Sequence, residues 1–114
     1  MDNSILNTIK KLLGIDENYT YWDQDLIIHI NTAFNILYQL GVGLPYSITS
    51  ATETWSDYLS DMSKLEMIKQ YVYMKVRMVF DPPAGALKDA MQEQIKELEW
   101  RINVTVDPPT TFED

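Results

Sequence analysis

Cysteine is absent from the chain. That excludes a disulfide framework, a thiolate nucleophile and any cysteine-ligated zinc or iron–sulfur centre, and makes a cytosolic setting the natural expectation. Histidine occurs once, at His29, so a histidine-rich metal site is excluded as well. Basic residues are scarce: nine Lys+Arg stand against seventeen Asp+Glu, for a formal net charge of −8. They are scattered from Lys10 to Arg101, without the basic stripe that grips nucleic-acid phosphates. Long apolar runs are also missing. The apolar stretches fall far below the ~20 residues that cross a bilayer, and Met1-Asp2-Asn3-Ser4 lacks the basic start of a signal peptide. No membrane association and no targeting segment are expected.

What remains is the composition of an ordinary globular chain: 114 residues, 46% hydrophobic and 23% charged. The length suits one domain with one modest core.

Apolar spacing organises the chain into helices. Ile5, Leu6, Ile9, Leu12 and Leu13 recur at helical spacing, with Asn3 or Ser4 as a cap and Gly14 at the C′ position. The loop that follows, 15–22, is rich in acids and aromatics. Asp23 is expected to cap a second helix, and Asp25 suits the first-turn dipole. Its stripe is Leu26, Ile27, Ile30, Ala33, Phe34, Leu37 and Leu40, ended by Gly41.

Residues 42–54 read as a long loop dominated by Ser, Thr and Ala, of the length that often carries function. A short helical turn is expected around 54–59, with Trp55 and Tyr58 on one side. Ser63-Lys64-Leu65-Glu66 has the form of a capping box and opens a third main helix. Its stripe is Leu65, Ile68, Tyr71, Val72, Val76 and Val79, widened by Met67, Met74 and Met78. Asp81-Pro82-Pro83 stops it. A fourth main helix runs from Ala84 or Gly85 to about Ile102, through Leu87, Ala90 or Met91, Ile95 and Leu98. Residues 103–114, with Val104-Thr105-Val106 and the Pro108-Pro109 pair, read as an extended arm. The expectation is all-α: a small bundle of three to four main helices over 1–102, a long loop, and an extended C-terminal arm over 103–114.

Chemistry has little to stand on. Asp25 and His29 lie four apart on one helix face, but two ligands are too few for a metal. Asp23-Gln24-Asp25 is explained by helix-end electrostatics. Glu93 and Glu97 could pair as carboxylates, yet Lys96 and Arg101 are at hand to make a solvated face. No GxSxG, P-loop or GxGxxG string occurs. No catalytic residue, metal site or cofactor is expected. A metal-dependent enzyme built on Asp25 and His29 has only that pair in its favour.

The aromatics point elsewhere. Seven Tyr, three Trp and three Phe are many for so small a core, and Tyr19, Tyr21, Trp22, Tyr38, Tyr46, Trp55 and Tyr58 lie mostly in or beside loops. Tyr and Trp are favoured at protein interfaces, so an interaction protein is the expectation. A small helical binding or regulatory module is the alternative to any larger assembly role.

The series "YWDQDLIIHINTAFNILYQLGVG", "TWSDYL", "IKQYVYMKVRMVFDPP" and "IKELEWRINV" resembles the phage head–tail connector (neck adaptor) family, in the branch found in phages and prophages of Gram-positive bacteria. The likeness runs over about residues 4–104, and its most specific part is "KVRMVFDPP" followed by a helix ending "ELEWR". It implies a structural protein of the virion neck, made in the host cytoplasm, that forms a ring with itself, typically dodecameric. Such a ring joins the portal protein to a tail-side neck or tail completion protein and continues a channel through which DNA passes without specific binding. On that likeness, Val104, Thr105, Val106 and Phe112 are expected at the portal, the first three by strand-like pairing. Loop 43–54, with Tyr46, Ile48, Trp55, Tyr58 and also Trp22, is expected at a subunit or tail-side interface.

Overall fold

The structure is a computed structural model that describes residues 3–42, 45–59 and 62–106. Its elements are α1 (Ile5–Leu13), α2 (Asp23–Gln39), α3 (Trp55–Tyr58), a 3₁₀ turn (Met62–Lys64), α4 (Leu65–Phe80) and α5 (Gly85–Val106). Among the described residues there is no β-strand, only one isolated bridge between Ser4 and Thr54. No described helix is long and apolar enough to cross a membrane. The all-α reading holds, with four main helices.

Local chemistry accounts for the helix ends. Ser4 caps α1, its Oγ accepting from the Asn7 N–H at 3.2 Å. Gly14 closes it at φ 81°, and the Ile15 and Gly14 N–H groups donate to the carbonyls of Lys10 (2.8 Å) and Lys11 (3.1 Å). This is a Schellman closure, which needs a residue tolerant of the left-handed region. Gly41, at φ 99°, closes α2 in the same way, with Val42 N–H donating to Leu37 O at 2.9 Å.

Two expected caps fall elsewhere. Trp22, not Asp23, occupies the N-cap of α2, without a side-chain cap bond; the Asp23 carboxylate is taken by the Lys10 ammonium at 2.8 Å. Ser63 lies inside the 3₁₀ turn, and Lys64 stands at the N-cap of α4 without a side-chain cap bond. The reciprocal capping box forms at α3, between Thr54 and Asp57.

α4 is the central helix, packed against α2, α5 and α1. Trp22, before α2, meets Phe80, at the end of α4, and Asn103 near the end of α5 donates to Leu40 O at the end of α2. α4 therefore runs antiparallel to both α2 and α5. The core joins Ile5, Leu6 and Ile9 of α1, the α2 stripe from Leu26 to Leu37, Ile68, Tyr71, Val72, Met74 and Val76 of α4, and Met91, Ile95 and Ile102 of α5.

Val79 and Leu87 lie in phase with the core stripes but are 63% and 58% exposed. They sit near the end of α4 and the start of α5, and periodicity alone placed them inside. Of Ala90 and Met91, it is Met91 that packs.

The boundary at 102/103 also shifts. α5 continues through Val106, a rod of ~33 Å at 1.5 Å per residue. Val104, Thr105 and Val106 are thus helical, not an extended strand-forming segment. β-branched residues cost a helix only a few tenths of a kcal/mol each. Tertiary docking outweighs this: Ile102 is fully buried, and Asn103 Nδ2 reaches Leu40 O at 3.3 Å. Phe112 and the Pro108-Pro109 pair lie outside the described residues.

Candidate interaction surfaces

The loop after α1 is built to hold its shape. Its key is Lys10, whose side chain is 1% exposed. Its Nζ donates to Asp23 Oδ1 at 2.8 Å and to the Glu17 carbonyl at 3.0 Å. A buried ammonium requires such partners, and these tie α1 to both the middle and the far end of the loop. Asp16 folds the near end, accepting from the Asn18 N–H at its carboxylate (2.8 Å) and from the Tyr19 N–H at its carbonyl (3.0 Å).

Aromatic side chains project from this frame. Tyr21 is 73% exposed, Tyr19 about half and Trp22 about a third. Their rings form a chain: Tyr19 to Tyr21 at 6.3 Å, Tyr21 to Trp22 edge-on at 4.6 Å, and Trp22 to Phe80 edge-on at 5.4 Å. Such contacts favour one arrangement of the rings. Trp22 was expected at an interface, and it is accessible for one.

The second loop behaves otherwise. Ile48 and Trp55 are fully buried, Tyr58 is nearly so, and Tyr46 is half-buried. Phe34 of α2 gathers three of these, with ring centroids 5.6 Å from Tyr46, 6.3 Å from Trp55 and 4.4 Å from Tyr58. The Trp55 indole N–H donates to Thr8 Oγ1 at 3.1 Å, and Asn31 makes a two-way bond with the Ile48 backbone at 3.0 and 2.7 Å. Ile48, Trp55 and Tyr58 are therefore core anchors, not surface contacts. Burial holds the Tyr58 phenol well above its usual pKa. Its hydroxyl has no hydrogen-bond partner among the described residues.

Glu53 tightens the same loop by accepting from the Thr49 N–H (3.0 Å), the Thr49 hydroxyl (2.9 Å) and the Ser50 N–H (3.2 Å). Burial opposes its ionisation, yet these donors hold its carboxyl below the usual value. The anchoring was foreshadowed by lone apolar residues, Tyr46 and Ile48, set in an otherwise polar stretch.

The remaining candidates divide simply. His29 is half-buried and Asp25 exposed, and no hydrogen bond or ion pair is seen between them. Glu93 and Glu97 pair with Lys96 (3.8 Å) and Arg101 (2.7 Å) along α5. Glu99 instead accepts from Tyr71 Oη at 2.8 Å, and burial followed by this carboxylate raises the phenol's pKa. No group of three or more potential metal ligands gathers among the described residues. Val104 is half-buried in the last turns of α5.

One large exposed aromatic escaped the sequence reading. Trp100, 66% exposed, is out of step with the Met91, Ile95, Leu98, Ile102 spacing, and that mismatch was its signal. Separately, a cleft of about 720 Å³ lies between α1, α4 and α5, with Leu12, Met67, Met74 and Leu98 in its lining.

The fold is a four-helix arrangement that leaves Tyr19, Tyr21, Trp22 and Trp100 exposed. The phage connector protein family matches residues 5–109, and the chain belongs to that family. It is thus a structural connector of the phage particle, in a non-enzymatic family, acting among other virion proteins at the head–tail junction. Comparison with curated proteins and with solved structures returns no match.

Proposed function

We propose that the chain assembles as a ring, typically dodecameric, between the portal and the next tail-side protein, and continues the DNA channel there. The family match over residues 5–109 carries this reading. The net charge of −8 supports it, because a conduit that DNA must traverse gains from repelling it, whereas a binder would lose affinity.

The portal contact falls to residues 107–114, including Phe112. Val104 to Val106 serve as the helical stem that presents them, not as a paired strand. On the tail side, the exposed residues of the loop between Pro45 and Thr52 remain available once Ile48 is spent on the core.

Electron microscopy of tail-deficient particles tests the reading: a ring is expected below the portal, with carboxylates facing its bore. A bore lined mainly by Lys and Arg refutes the channel argument. Deletion of 107–114 should abolish attachment while circular dichroism stays unchanged. Full attachment by the truncated chain refutes the portal assignment.

A further inference from the structure

The chain carries an uncharged, aromatic projection and, elsewhere on its surface, a hollow where Leu12, Met67, Met74 and Leu98 lie among polar and charged residues. The projection is the segment Asn18-Tyr19-Thr20-Tyr21-Trp22, uncharged throughout and braced by Lys10 and Asp16. The hollow is the cleft between α1, α4 and α5, about 720 Å³ in volume, within the ~300–1,000 Å³ range of pockets that enclose compact occupants.

We propose that the Tyr19–Trp22 segment of one copy seats in the α1–α4–α5 cleft of the next. This rests on the ring reading above and names the contact that would build it.

Charge selects the occupant. Two chains of net charge −8 repel, so they meet most favourably where neither side adds charge. The cleft rim is already neutralised from within: Glu66 pairs with Lys69 at 3.6 Å, and Glu97 with Arg101 at 2.7 Å. Such a rim suits an uncharged, aromatic insert. Rigidity helps too, because a braced loop loses little further entropy on docking, and Tyr and Trp are the residues that most often anchor interfaces. A projection and a hollow on different patches make a heterologous contact, which propagates head to tail and closes into a ring when the rotation allows.

The absence of cysteine gives a clean test. Full-length Thr20→Cys and Gln94→Cys chains, differently tagged, are mixed at high concentration and oxidised. The mixed dimer is expected to exceed both homodimers, and the double variant should give a ladder of products. Leu12→Asp, at an exposed position in the cleft lining, should cut the mixed product roughly tenfold with the circular dichroism unchanged. Homodimers in equal yield, or a double variant that stops at dimer, would overturn the head-to-tail contact. Microscopy of the same mixture separates the two ideas. Rings without the mixed crosslink overturn this contact but keep the ring; a crosslinked ladder without rings keeps the contact and overturns closure.

Discussion

Replacing Lys10 tests whether one buried ion pair sets the shape of the exposed aromatic loop. The Nζ lies 2.8 Å from Asp23 Oδ1, with side-chain exposures of 1% and 21%. At an effective dielectric of about 20, unit charges at that separation attract by ~6 kcal/mol. Desolvation of both groups offsets most of this, and a close buried pair retains a coupling of about 1–3 kcal/mol. Lys10→Met keeps the aliphatic packing but leaves Asp23 mostly buried without its cation and the Glu17 carbonyl without its donor. The expected loss is about 2–4 kcal/mol, read as a lower urea midpoint at unchanged slope. Pairing it with Asp23→Leu should recover part of that loss, because removing both charges costs less than stranding one. Hydrogen exchange should accelerate at the amides of residues 16–22 before the rest of the fold is affected. A Lys10→Met chain within 0.5 kcal/mol of the parent, with loop exchange unchanged, would refute the clamp.

Thr8→Val strands the buried Trp55 indole N–H and should cost about 1–3 kcal/mol by chemical denaturation; a loss under 0.5 kcal/mol would show that the indole finds another partner. Tyr58→Phe removes a buried hydroxyl with no partner among the described residues and should leave stability equal or raise it by up to ~1 kcal/mol, so a clear loss would reveal a partner. Glu53 has a lowered folded-state pKa; its contribution is complete above the usual carboxylate range and fades as pH falls through that lowered value. Exchange protection at Thr49 and Ser50 should therefore drop in acid, and Glu53→Gln should abolish that pH dependence while weakening the loop at neutral pH.

The sequence by itself determined what depends on neighbours along the chain. The stripes from Ile5 to Leu13 and from Leu26 to Leu37 mark helices because burial on one side repeats with the helical turn. Gly14 and Gly41 end two of them because only a residue free of a Cβ accepts a left-handed closure cheaply. Missing cysteine and scarce cations excluded whole classes of chemistry, and the spaced motifs carried the family. Tertiary structure alone decided which aromatics face water. Trp55, Tyr58 and Ile48 turned inward because Phe34, Thr8 and Asn31 supply ring contacts and hydrogen bonds from distant parts of the chain. Tyr21 lies outward in a segment that Lys10, charged yet buried, fastens on either side at Glu17 and Asp23. Val79 and Leu87 obey the helical period and still lie exposed, since a period fixes the face a residue shares but not how far its neighbour extends to cover it. Packing of Ile102 in the core, with the Asn103 hydrogen bond to Leu40 O, likewise non-local, accompanies the run of α5 on to Val106 through residues that locally read as extended.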